Sequence, residues 1–237
     1  MQIQKILGFK PSLIPTILTI PALILLISLG IWQLQRLHYK ENLIDEIKHQ
    51  NELATIELPA QVNLPDMLYR KVKLHGKFLN QQEMHIYGGN LQFKGKVGYY
   101  IITPMRLTDN RIVIVNRGWV AETEKEAITR PASLITGITE VEGAIMQSEQ
   151  KSLYIHENQP QRNLWFYMNL DEMRQHLNEP IENFYILAKD NPNISPRGRN
   201  LEPNLRNNHL GYALTWFSLA IALLAIYIIY HRKLNKD

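Results

Sequence analysis

His209 stands at the head of a long uncharged run and is followed by Tyr212, Ala213 and Trp216. On a helix, offsets of three, four and seven residues share one face, so an imidazole would head a stripe with two aromatic rings. An imidazole nitrogen at a membrane boundary can ligate a haem iron, and aromatic faces below it can cover a flat macrocycle. The same spacing also describes an interfacial histidine beside an aromatic belt, and helix pattern alone favours that simpler reading. A second boundary carries Trp32, Arg36 and Tyr39 at i, i+4 and i+7. Arg36 there could pair with a propionate or another anion at headgroup level, or could snorkel and stack on Trp32. A third group, Asn116-Arg117-Gly118-Trp119-Val120, interrupts the most apolar strand pattern of the chain. It marks a binding surface or a bulge at the sheet end, and a strand terminus with Trp119 in the core answers the same pattern.

Competing chemistry is sparse. The sequence holds no GxSxG, HExxH, Walker loop or GxGxxG, so no enzyme activity is expected. His38, His49, His75, His85, His156 and His176 have no metal-ligand spacing and read as surface imidazoles. Cysteine is absent, which excludes disulfides, thiolate metal sites and a cysteine nucleophile. The net charge of +4, from 26 basic and 22 acidic residues, is too small to suggest a nucleic-acid partner.

These residues must be positioned by two apolar segments and one polar domain. The mean hydropathy of −0.22 passes for that of a soluble protein, but the apolar residues gather at the ends. No charged side chain occurs between Pro11 and Gln35 or between Leu210 and Tyr230. Each run reaches the roughly 20 residues a helix needs to cross about 30 Å of hydrocarbon. The expected map is a tail over 1–12, a transmembrane helix over 13–34, a mainly β domain over 35–208, a second helix over 209–230 and a basic tail over 231–237. Trp32-Gln33-Leu34-Gln35-Arg36 is a poor signal-cleavage site, so the first helix is expected to be retained. Lys5, Lys10 and the basic tail put the termini on the cytoplasmic side of an inner membrane. The domain then lies in the periplasm, or in the intermembrane space for a mitochondrial chain.

Within the domain, an amphipathic helical continuation is expected from Arg36 to about Leu53, ended by Pro59 and Pro65. Strands are predicted over Tyr69–Phe78, Met84–Tyr87, Val97–Leu107, Arg111–Val120, Ile138–Met146, Trp165–Asn169 and Phe184–Ala188. Gly88-Gly89-Asn90 reads as a turn, and Thr108-Asp109-Asn110 as the tip of a hairpin. Ile112-Val113-Ile114-Val115 is the pattern of a strand buried on both faces. Pro104 should push its strand toward an edge or a bulge. Asp171–Leu177 is predicted as a short helix, and 191–208 as a Pro- and Asn-rich loop. The fold class is therefore a membrane protein with two helices flanking a mainly β, barrel-like α+β domain.

Taken in order, the motifs resemble those of the surfeit locus protein 1 family of cytochrome c oxidase assembly factors. Leu29-Gly30-Ile31-Trp32-Gln33-Leu34-Gln35-Arg36 is similar to the family's LGxWQxxR, and Gly76-Lys77-Phe78 to its GxF strand. Gly98-Tyr99-Tyr100-Ile101-Ile102-Thr103-Pro104 and Val115-Asn116-Arg117-Gly118-Trp119-Val120 resemble its GYxVxTP and VNRGWV. Asn207-Asn208-His209-Leu210-Gly211-Tyr212-Ala213-Leu214-Thr215-Trp216 resembles its NxHLxYAxTW. The resemblance implies a membrane factor that helps haem a reach subunit I of the oxidase, with haem a synthase as a further partner beside membrane lipid. It also implies a haem a role for the histidine at position 209, as ligand of the haem iron. Tyr212, Trp216, Trp32 and Arg36 are then candidate haem contacts, and Asn116, Arg117, Gly118 and Trp119 candidate assembly contacts. The alternative is a scaffold that holds an assembly intermediate without touching haem. His38-Tyr39-Lys40 and the segment Ala121–Thr136 depart from the family pattern.

Overall fold

The computed structural model describes residues 11–90, 96–190, 195–198 and 207–234. The chain divides into two compact units: the terminal helices form one and Ile47–Pro203 the other.

The first helix, α1, runs over Leu13–Glu52 without a break, passing through Pro21, and belongs to the first unit as far as Glu46. Its polar second half is the expected continuation beyond Arg36. The last helix, α4, covers His209–Leu234. Both are long and apolar enough to cross a membrane, and most of their large apolar side chains are uncovered by protein. In water such surface would be a severe liability; in lipid it is the ordinary exterior of a span. The two helices pair antiparallel. Gln33 meets His209, a Cβ on Gly30 would strike the Phe217 ring at 2.5 Å, Thr16 Oγ1 lies 2.7 Å from Tyr227 OH, and Ser12 Oγ 2.9 Å from His231 Nε2. Apart from His231, the buried residues of the described helix pair are the small Gly30, Ala213 and Ala220, so close backbone approach is what this interface uses.

The second unit is a barrel. Its strands are β1 (Ile56–Glu57), β2 (Lys71–Phe78), β3 (Met84–Asn90), β4 (Lys96–Leu107), β5 (Ile112–Ala121), β6 (Ile138–Gln147) and β7 (Ile181–Ala188). The pairing order β2-β6-β7-β5-β4 closes on itself because β4 also pairs with β2. Closure of these five strands removes most of the free edges. All barrel pairs are antiparallel except β5 with β7. Short β1 adds to β2, and β3 adds to β4. The helix α2 (Leu64–Met67) leads into the barrel, and α3 (Leu170–Leu177) packs outside it.

The core has two layers split by the β5 wall. Val113 and Val115 point inward with Val72, Leu74, Phe78, Met105, Leu107, Ile145, Phe184 and Ile186. Ile112 and Ile114 point outward under Trp165, Met168, Leu170 and Met173. The run of four β-branched residues is thus buried on both faces, as its pattern predicts. Each such side chain contributes about 1.5–3 kcal/mol on burial.

Several expectations need correction. Gly88-Gly89-Asn90 is not a turn; these residues continue β3 and pair with Lys96–Gly98. Trp165–Asn169 is not a strand. Trp165 makes one parallel bridge to Ile86, and the Asn169 side chain accepts from the amides of Asp171 and Glu172, capping α3. Pro104 sits in a barrel strand rather than at an edge. Pairing with β3 ends at Ile102 and pairing with β2 begins at Met105, so its missing N–H falls where β4 changes neighbours. The expected loop 191–208 lies mostly outside the described residues.

Candidate functional site

At one end of the helix pair, His209 Nδ1 lies 2.7 Å from Gln33 Oε1. An amide oxygen only accepts, so Nδ1 carries a hydrogen and, in the neutral imidazole, the lone pair is on Nε2. Among the described residues Nε2 has no hydrogen-bond partner. One turn further along α1, the Arg36 guanidinium lies 5.7 Å from the Trp32 ring centroid, and both side chains are exposed. That is the stacked arrangement named above for an interfacial pair. Tyr212 is exposed, Trp216 half-buried, and Ala213 packs inward, so the stripe below His209 is divided between the helix interface and the outside. No hydrogen bond or ring contact among the described residues joins Trp32 or Arg36 to His209, Tyr212 or Trp216.

Inside the barrel domain the third group is turned inward. Ile101 pairs with Gly118 and Ile102 with Asn116, which leaves Arg117 as the extra residue of a β-bulge. The bulge continues the inward direction of Val113 and Val115 and puts the Arg117 guanidinium 4.4 Å from the centroid of the Phe78 ring. Its Nη2 donates to the carbonyl of Ser133, and its Nη1 has no partner among the described residues. Burial lowers its pKa to about 10, although the Glu83 carboxylate pulls the other way. Asn116 Oδ1 accepts from the amide of Gly118 at 3.1 Å, which holds the bulge. Gly118 has φ of 122°, and a Cβ there would strike the carbonyl of Arg197. Trp119 is buried and its Nε1 donates to the Gly88 carbonyl at 3.1 Å.

The buried charges continue beyond Arg117. Glu83 Oε1 accepts from Arg130 Nη2 and, at 2.9 Å, from His85 Nε2. Arg130 also donates to Ser133 Oγ at 2.9 Å and to the Glu124 carbonyl at 3.0 Å. Burial pushes the Glu83 carboxyl up, but the bonds from His85 and Arg130 outweigh it and hold the group below its ordinary range. His85 is therefore a buried partner of a carboxylate and not a surface imidazole. Its β3 position pairs with Ile101 in the sheet, which draws the ring inward. The cluster ties the turns Glu122–Glu124, Ala127–Thr129 and Pro131–Ser133 to the barrel.

Sequence reasoning assigned no role to Gln33, Glu83, Arg130 or Ser133. Gln33 lay within the quoted first motif, where a polar residue between Trp32 and Leu34 in an apolar span was the available signal. Glu83 and Arg130 are 47 residues apart, and no local pattern links them.

A pair of lipid-compatible helices and a closed five-stranded barrel in one chain, with a histidine oriented at one helix boundary, define a membrane-anchored barrel protein. The SURF1 family profile matches residues 20–221. A SURF1-like protein of Rickettsia conorii is 38% identical over 215 residues, covering 88% of each chain. That of Rickettsia prowazekii is 36% identical, over 92% of this chain and 90% of its own. Surfeit locus protein 1 of Homo sapiens is 32% identical, over 82% of this chain and 70% of its own. The chain belongs to the SURF1 family.

Proposed function

We propose that this chain is a non-catalytic, membrane-anchored assembly factor for the haem a-containing cytochrome c oxidase, and that it assists haem a on its way to subunit I. Family membership supports the oxidase role. The observation that carries the haem reading is the Nε2 of His209, which has no hydrogen-bond partner among the described residues while Nδ1 is held by Gln33 at the end of an apolar helix pair. The donor set fits: the iron would be held by one neutral imidazole nitrogen, which His209 would supply through Nε2. Exposed Tyr212 and half-buried Trp216 would flank the macrocycle, Trp32 would add a further face, and Arg36 would take a propionate. Haem a, when bound, supplies the iron and its redox chemistry; the chain holds, orients and shelters it. The barrel domain would face the periplasm, or the intermembrane space in a mitochondrion, with both tails on the opposite side. Subunit I and haem a synthase are the partners this role requires.

The test is purification of the wild-type chain and of His209→Ala from cells that make haem a. Wild type should carry haem a with the visible spectrum of nitrogen ligation, and His209→Ala should lose it while inserting normally. Retention of haem a with an unchanged spectrum in His209→Ala would remove the ligand assignment. A scaffold reading then takes its place, and one surface of the barrel domain favours it: Leu153 and Tyr154 are 94% and 95% exposed on a loop tip.

A further inference from the structure

We infer that Gln33 is a positioning residue that fixes the tautomer of His209 and so makes Nε2, rather than Nδ1, the metal-binding nitrogen. The inference rests on the proposed haem reading for its function, but its physical core stands on the helix pair alone. A neutral imidazole has one N–H and one lone pair, and which nitrogen binds metal is set by the hydrogen bond the other makes. In free histidine the hydrogen prefers Nε2, which would leave the lone pair on Nδ1, close to the helix backbone. Gln33 Oε1, 2.7 Å from Nδ1, reverses that preference. It also fixes the ring plane, because the acceptor lies on the facing helix and not on α4 itself.

The choice of glutamine has a physical reason. A carboxylate would accept the same hydrogen, but at the end of a membrane span it would carry a desolvation cost that a neutral amide avoids. An accepting partner on the far nitrogen also makes the imidazole a stronger donor to metal, and loss of such a partner typically costs about 10-fold in affinity or more.

The second possible role is that of a tether between helices. The Thr16–Tyr227 bond at the opposite end of the pair, also 2.7 Å, provides the control. The experiment uses the full chain in nanodiscs, ¹⁵N-labelled at histidine, as wild type, Gln33→Met, Gln33→Glu and Thr16→Val. Methionine keeps the length and helix preference of Gln33 and removes the acceptor; glutamate keeps an acceptor. Ring ¹⁵N shifts of His209 are read without haem, and haem a is then titrated into each variant.

Wild type, Gln33→Glu and Thr16→Val should show the Nδ1–H form. Gln33→Met should shift toward Nε2–H and bind haem a about 10-fold more weakly. An unchanged tautomer in Gln33→Met overturns the inference whatever the haem result. Equal loss of haem in Thr16→Val and Gln33→Met also overturns it and makes Gln33 a tether only. If the tautomer shifts as stated but His209→Ala binds haem a as wild type does, the haem reading fails and the functional part of the inference falls with it.

Discussion

The buried cluster around Glu83 lends itself to a measured test, because its parts are charged, enclosed and few. Glu83→Ala removes the acceptor of both His85 and Arg130. Arg130 keeps its bonds to Ser133 and to the carbonyls of Glu124 and Lys125 but loses its counter-charge. Leaving one member of a buried pair alone typically costs about 3–5 kcal/mol. For a chain of this size that corresponds to a fall in melting temperature of about 6–20 °C. The exposed pair Lys73–Glu140, at 3.3 Å, sets the comparison: Glu140→Ala should cost about 1 kcal/mol or less. Trp119 and Trp165 lie in the barrel domain, so a background with Trp32 and Trp216 changed to Phe lets fluorescence follow that domain in the full chain. The acid limb gives a second reading. Glu83 is held below its usual 4.5 when folded, so its stabilisation is complete above that value and is lost as pH falls through the lower, folded value. Wild type should therefore weaken below about pH 4.5, and Glu83→Gln should show a shallower acid limb. If Glu83→Ala costs no more than Glu140→Ala, the cluster does not fasten the 122–133 turns as argued.

Two further outcomes follow from the fold. Gly118→Ala combines a φ of 122° with contact against the Arg197 carbonyl, so the same fluorescence melt should show a loss of about 1–3 kcal/mol or more; an unchanged midpoint would contradict the bulge geometry. A reporter active only outside the cytoplasm should be active when fused after Gly137 and silent when fused after Asp237, and equal activity of the two fusions would sink the two-span arrangement.

The legible parts of this sequence were those written in local pattern. Two uncharged runs announced α1 and α4, alternation announced most strands, and Ile112–Val115 announced a doubly buried wall. The hairpin at Thr108–Asn110 was equally readable, with Asn110 at φ 71° and a Leu107 amide bonded to the Arg111 carbonyl at 2.8 Å. What escaped depended on contacts distant in sequence. Pro104 looked like an edge or bulge residue because nothing local reveals that β4 changes neighbours beside it. His85 looked like any exposed imidazole because its carboxylate is read by a guanidinium from 47 residues away. Trp165 looked like a strand residue because a single bridge and a core layer use the same residue types. Barrel closure through β2 and β4 rests on three residue pairs alone.

The motifs that carried the family resemblance turn out to be one another's contacts. Phe78 of the second lies under Arg117 of the third. A Cβ on Gly98 would come within 2.6 Å of the Trp119 ring, so the two halves of the hairpin motif fit only with a glycine there. Gln33 and Gly30 of the first meet His209 and Phe217 on the last helix. Most of these contacts are spent inside the fold: Arg117 and Trp119 are buried, and replacing them would disturb the barrel before it disturbed a partner. Trp119→Ala alone should remove about 3–5 kcal/mol, enough to mimic a lost interaction. The first and last motifs differ in kind. Their polar contact joins two helices and, among the described residues, leaves the second imidazole nitrogen of His209 without a hydrogen-bond partner. A purely structural bond would be served as well by two hydroxyls, as Thr16 and Tyr227 show at the other end. An amide oxygen aimed at one nitrogen of an imidazole does something two hydroxyls cannot: it decides which ring nitrogen of the neutral ring carries the hydrogen.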